Sequence, residues 1–170
     1  YLQEYASVIT EGEKLICYCR NMAVDAVIHF YAGELREKGI PFECDMMLPQ
    51  NIGISDTDLC KIYGNLLENA VNAVKEEKED QDRYVSCVCK VRKGKLTKVK
   101  NRKLLIEISN PYSNEIQRRE KVFYSTKHEG FGIGTASVAE VVQRMGGYVV
   151  FNTEEGIFKV NIFLPVKTVQ

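Results

Sequence analysis

Residues 65–73 read Asn65-Leu66-Leu67-Glu68-Asn69-Ala70-Val71-Asn72-Ala73. On an α-helix, positions 65, 69 and 72 share one face, because residues three and four apart stack one turn above another. Leu66, Leu67, Ala70, Val71 and Val74 then turn toward a core. Three amides in a stripe beside so apolar a face are not typical of a plain surface helix. Asn is a mediocre helix former, since its side chain competes for backbone groups. Its repetition here suggests amides that bind something. A neutral oxygen ligand suits Mg²⁺, which keeps several waters and is otherwise held by phosphates. The alternative is that one or two of the amides cap or bridge neighbouring elements.

The helix carrying this stripe begins after Ser55, where Asp56 and Asp58 crowd its N-terminus with negative charge, and it runs to about Lys78. Upstream, Ala23, Ala26, Val27, Phe30 and Tyr31 recur at helical spacing, so Met22 to Lys38 reads as a second helix, stopped by Gly39 and followed by Pro41. Residues 1–20 read as a further helix. Phe42, Cys44 and Met46 alternate with more polar neighbours, as in a strand. Downstream, Tyr84 to Val91 and Leu104 to Ser109 read as strands joined through a turn at Lys93-Gly94-Lys95. Residues 110–130 form an irregular stretch with the length of a lid or binding loop. A helix follows Gly134 and ends at Gly146-Gly147, and two strands close the chain, Tyr148 to Asn152 and Ile157 to Leu164. This order of helices and hairpins predicts an α+β fold, a two-layer α/β sandwich with one mixed sheet and helices on one face.

Composition narrows the function classes. The 170 residues carry 23 Lys+Arg against 23 Asp+Glu, a formal net charge of zero. A general nucleic-acid binder normally shows a basic excess. The eight Lys and Arg between residues 90 and 103, with no acid among them, fit a solvated hairpin better than a nucleic-acid patch. No apolar run approaches the ~18 residues of a membrane-spanning helix, so no direct membrane insertion is expected. The first residue is Tyr1 rather than Met, which reads as a piece of something longer. Cysteines stand at 17, 19, 44, 60, 87 and 89 without zinc-finger spacing, and read as reduced, small apolar side chains of a cytosolic protein.

The second informative segment is Gly130-Phe131-Gly132-Ile133-Gly134, leading into Thr135-Ala136-Ser137-Val138. Glycines let the backbone approach a ligand closely, and a helix N-terminus attracts phosphate. It is not the dinucleotide pattern, because the preceding segment is not a strand, and no Gly-Lys-Ser/Thr follows to make a P-loop. Lys127, beside Ser125 and Thr126, places a cation just upstream. A tight turn with close packing is the competing explanation for the glycines.

Together these segments resemble the GHKL ATPase superfamily, which groups gyrase, Hsp90, histidine kinases and MutL. The Asn stripe looks like its N box and Gly132-Ile133-Gly134 like its G2 box, in the right order. The resemblance is greatest to the catalytic domain of Agr-type, peptide-sensing histidine kinases. It rests on Val24 to Ile28, Gly39-Ile40-Pro41-Phe42, Asn65 to Ala70, Ser125-Thr126-Lys127, Gly132 to Gly134 and the terminal Ile162-Phe163-Leu164-Pro165, so that it spans about residues 20–166. It implies a catalytic and ATP-binding domain over 21–170, preceded over 1–20 by the end of a dimerisation helix.

The resemblance also implies roles. Asn69 would hold Mg²⁺. Asn65, Asn72, Asn110, Lys127, Gly130, Gly132, Ile133 and Gly134 would bind ATP or ADP. Asn65 stands where hydrolysing relatives carry a glutamate, and an amide cannot take a proton from water. That favours phosphoryl transfer to a protein side chain, with Glu68 beside the metal Asn polarising the attacking imidazole. Asn110 replaces the usual adenine-reading Asp, and the glycines of that box are absent, as in Agr-type kinases. An amide oxygen accepts a hydrogen bond without the assistance of charge, so weak nucleotide affinity is expected. His29 lies within a helix where the family has no phosphoacceptor and reads as a surface or packing residue, while His128 lies in the lid. The acceptor would be a histidine on an upstream dimerisation hairpin of the same or the partner chain, and a response regulator would receive the phosphate next. The parent would be membrane-anchored with this domain in the cytosol. A noncatalytic module of the same fold, and a GHKL serine kinase or hydrolase, are the other readings.

Overall fold

The computed structural model describes residues 16–77, 82–93, 102–112 and 133–166. These residues form helices α1 (Met22–Glu37), α2 (Asp56–Glu76) and α3 (Ile133–Arg144) and strands β1 (Phe42–Met46), β2 (Val85–Lys93), β3 (Arg102–Pro111), β4 (Tyr148–Glu154) and β5 (Ile157–Val166). Every element expected between Met22 and Leu164 is present, with ends moved by one to three residues.

Local chemistry fixes the ends. Asn21 caps α1 by accepting from Val24 N, and Ser55 caps α2 by accepting from Asp58 N. Gly39, at φ +64°, closes α1: Ile40 N donates to Leu35 O and Gly39 N to Arg36 O, both near 3.0 Å. Gly146 ends α3 the same way, with Gly147 N donating to Val142 O at 2.9 Å. Glu155 and Gly156 both take positive φ (55° and 74°), the requirement of a two-residue hairpin turn, so Glu154 pairs directly with Ile157.

The sheet order is β1-β2-β3-β5-β4, with β1 and β2 parallel and the other neighbours antiparallel. A parallel pair cannot be closed by a tight turn, and α2 supplies the crossover between β1 and β2. Cys87 and Cys89 of β2, Leu104, Ile106 and Ile108 of β3, and Val160, Ile162 and Leu164 of β5 are all buried on one sheet face. Helix α2 covers that face with Leu59, Ile62, Tyr63, Leu66, Leu67, Ala70, Val71 and Val74. The expected two-layer mixed-sheet architecture is therefore present.

Two expectations change. Residues 16–21 are not helical. Tyr18 N and Cys19 N donate to Asp25 Oδ1 at 2.8 and 3.0 Å, and Arg20 N donates to Leu48 O at 3.1 Å. A helix would need those N–H groups for its own carbonyls. The helix read over 1–20 therefore does not reach 16–20, and residues 1–15 lie outside the described residues. Strand β3 also runs beyond Ser109: Asn110 and Pro111 pair with Phe158 and Ile157, and the rest of the expected lid, residues 113–130, lies outside the described residues. The turn at 93–95 falls largely outside the described residues, but its flanking strands pair as a hairpin, Lys93 opposite Arg102.

All six cysteines are free thiols, and Cys19, Cys87 and Cys89 are buried. No group of three or more His, Cys, Asp or Glu able to hold a metal occurs among the described residues. Burial pushes the Cys19 thiol up to about 11 and Cys89 up to about 12, while a hydrogen bond from the Cys87 thiol to Cys44 and then burial raise Cys87. His29 packs edge-on to Tyr18 at 4.9 Å and lies 3.5 Å from Asp25, a packing histidine as expected. No helix among the described residues is long and apolar enough to cross a membrane.

Asn21 is 3% exposed and also donates to Gln50 O (3.2 Å) and Asp56 Oδ1 (2.9 Å), joining α1, the β1–α2 loop and α2. Asn21→Ala removes the cap and leaves Asp56 without this donor, and is expected to cost about 2 kcal/mol in urea unfolding. Unfolded thiols ionise near ~8.5, well below the folded values. Stability under reducing conditions is thus full below that pH and is lost as pH rises toward the folded values. The urea midpoint is expected to be flat between about pH 6 and 8 and to fall steadily above about pH 9.

Candidate functional site

Helix α2 has two unlike faces. The apolar one is in the core. The other carries the amide stripe, with Asn69, Asn72 and Glu68 exposed and Asn65 half-buried. The Asn65 side chain is held: its Nδ2 donates to Lys61 O, one turn back, at 2.7 Å. Its Oδ1 faces Gly134 in the first turn of α3, close enough that a Cβ at 134 would stand 2.9 Å from it. The Asn segment and the last residue of the Gly-x-Gly segment, far apart in sequence, are therefore in contact.

At the other end of α3, Arg144 forms an ion pair with Asp58 in the first turn of α2. The two anchors fix the orientation. The start of α3 lies at Asn65 and its end at Asp58, so the helices run antiparallel and α3 stops alongside Asn65. Asn69 is one turn further along α2, about 6 Å on. The N-terminus of α3 is thus directed at the space beside Asn69 and Asn72. A helix N-terminus presents unpaired N–H groups and the positive end of the helix dipole. The first turn of α3 holds no acidic residue to neutralise it. Such an end attracts an anion, and exposed amide oxygens lie beside it.

The remaining candidates are placed as follows. Asn110, near the end of β3, is 2% exposed, and its Nδ2 donates to Pro111 O at 2.9 Å, which sets the orientation of the amide. Asn110 follows the alternation of Leu104, Ile106 and Ile108 onto the sheet face that α2 covers, whereas the stripe lies on the opposite, outward face of α2. Glu68 is exposed, and its charge, after burial, raises the phenol of Tyr31 in α1. Ile133 opens α3. Lys127, Gly130 and Gly132 lie outside the described residues, as do Ser125, Thr126 and His128.

The family model described as the GHKL domain matches residues 54–165. The chain belongs to the GHKL family. That stretch contains both α2 and α3 and stops before Val166. No curated protein matches this GHKL domain. Among solved structures it is similar to the nucleotide-free catalytic domain of histidine kinase ThkA, with 16% identity, a TM-score of 0.56, and coverage of 85% of this chain and 92% of that one. It is also similar to the mycobacterial sensor histidine kinase MprB, with 17% identity, a TM-score of 0.54, and coverage of 86% and 97%. Full-length ShkA in complex with AMPPNP matches with a TM-score of 0.61 and 19% identity over 88% of this chain, which spans 30% of ShkA. At these identities the likenesses show the fold.

No local pattern in the sequence marks the Asp58–Arg144 pair. Asp58 was legible only as a helix-start carboxylate, and the partner stands 86 residues away. Because Asn69 and Asn72 are exposed and take no part in the core, Asn69→Ala and Asn72→Ala are expected to change unfolding free energy by no more than about 0.5 kcal/mol. Chemical denaturation of the two variants checks this, and a larger loss would make the stripe structural.

Proposed function

We propose that this GHKL domain is the catalytic and ATP-binding domain of a sensor histidine kinase of the Agr type. The observation that carries the reading is the Gly134–Asn65 contact, which aims the N-terminus of α3 at the exposed amides of α2. The nucleotide triphosphate would lie ahead of α3, and the lid residue Lys127 would add a cation.

The donor set fits Mg²⁺. A nucleotide-borne Mg²⁺ needs few protein ligands, because phosphates and waters fill the rest. Asn69, one exposed neutral oxygen at the mouth of the site, supplies such a ligand, with Asn72 beside it. Bound Mg²⁺ would neutralise charge on the phosphates during transfer. The chain's own part is to bind and orient. The α3 N-terminus fixes the phosphates, Asn110 accepts from the adenine amino group, and Glu68 polarises an incoming imidazole. The γ-phosphoryl group passes to that imidazole and ADP leaves. Positioning and electrostatic stabilisation carry such a transfer, without covalent chemistry from the domain. The acceptor histidine belongs to an upstream dimerisation hairpin, and a response regulator takes the phosphate. The domain would work in the cytosol beneath a membrane-anchored parent.

Asn110 in place of an adenine-reading carboxylate supports a second reading, a noncatalytic interaction module with the same fold. Calorimetry with ATP and ADP, with and without Mg²⁺, separates the two. The kinase reading expects binding in the micromolar-to-millimolar range, tightened by Mg²⁺, and loss of the Mg²⁺ dependence in Asn69→Ala. Absence of binding even at millimolar nucleotide would move the assignment to the module.

A further inference from the structure

We infer that Asn65 is a positioning residue: its pinned side chain sets how closely the first turn of α3 approaches α2, and Gly134 is glycine in order to accept that side chain. The inference rests on the nucleotide-site reading above and assigns what holds that site open at the right width.

A glycine is needed where φ is positive or where a neighbour leaves no room for Cβ. The positive-φ glycines of the described residues are Gly39, Gly53, Gly146 and Gly156, so Gly134 is not among them and its backbone suits any residue. What excludes a side chain there is one neighbour. A Cβ at 134 would stand 2.9 Å from Asn65 Oδ1, 3.6 Å from Cγ and 3.7 Å from Cβ, whereas at Gly33, Gly39 and Gly64 it would meet nothing within 4 Å. The three nearest atoms all belong to Asn65.

Swinging Asn65 aside has a cost. Moving Oδ1 away breaks the 2.7 Å bond from Nδ2 to Lys61 O. Helix α3 cannot pivot freely either, because Val138, Val141 and Val142 are buried in the core and Arg144 pairs with Asp58 at its other end. The contact therefore fixes the height of the α3 N-terminus over α2, and with it the distance from those N–H groups to the exposed Asn69. Bulk added at 134 pushes the N-terminus outward. Bulk removed at 65 lets it settle inward. Either change misplaces donors whose value depends on geometry.

The two positions should therefore be coupled with a change of sign. Alanine is a better helix residue than glycine, so Gly134→Ala is favourable wherever Asn65 is not in its way. The experiment compares the parent, Gly134→Ala, Asn65→Ala and the double variant in thermal melting without nucleotide and in Mg²⁺-ATP calorimetry. In the parent background Gly134→Ala is expected to lower the midpoint by about 2–4 °C; in the Asn65→Ala background the same change should raise it by roughly 2 °C. Gly134→Ala should weaken Mg²⁺-ATP binding about tenfold, and the double variant should bind like Asn65→Ala alone. Equal melting shifts of Gly134→Ala in both backgrounds would overturn the contact. Losses of affinity that multiply in the double variant would make Asn65 a direct ligand and overturn positioning, and four equal affinities would make the contact packing only. If the parent binds no nucleotide the kinase reading fails and positioning falls with it, while the melting cycle still decides the contact.

Discussion

Helix α2 is held on the sheet by burial of eight side chains, from Leu59 to Val74, and the rest of the molecule is arranged around that burial. Each large aliphatic side chain removed from water contributes roughly 1.5–3 kcal/mol. Three Asn residues in the same helix cost at most about 0.7 kcal/mol each in propensity. Burial wins by a wide margin, so the opposite face of α2 is free to carry residues that are poor helix formers and chosen for other work. The same helix is the crossover that makes β1 and β2 parallel. Shifting it would disturb the sheet, the core and the amide stripe together.

Helix α3 depends on that frame. Its buried Val138, Val141 and Val142 tie it to the core, but two points on α2 determine how it lies. The Asp58–Arg144 pair joins the negative start of one helix to a cation at the end of the other, and each charge also suits the dipole of its own helix. With Arg144 more than half exposed, such a pair contributes little to stability. Its effect is orientation. With the far end so held, the contact of Gly134 with Asn65 settles where the α3 N-terminus points.

Residues 16–21 join the domain as tightly as any element. Asp25 accepts from two successive backbone N–H groups of this segment, Arg20 reaches Leu48, and buried Asn21 bonds to both neighbouring elements. The segment is therefore an integral strap of the fold with no helical character of its own. Cys19, Cys87 and Cys89 are buried in the same core as Tyr63, as small apolar groups.

Much of this was legible in the chain. Ser55 before Asp56, Gly39 before Pro41, Glu155-Gly156 between two apolar runs and the apolar spacing of α2 are local signals, and each element they predict is present because capping, turn geometry and periodicity act over a few residues. The amide stripe was legible for the same reason. Contacts between distant residues were not. No periodicity relates Asp58 to Arg144, or Asn65 to Gly134, since their meeting depends on how two helices cross after each has buried its own apolar face. The helix read over residues 16–20 failed on the same account: its N–H groups are taken by Asp25 and Leu48, which reach them only once α1 and the loop after β1 have packed. The sequence by itself determined which elements form and which face of α2 is polar, because those follow from short-range chemistry. The tertiary structure alone decided that Gly134 meets Asn65 and that α3 aims its N-terminus at the stripe, because packing of the shared core sets the distance between elements that no local rule connects.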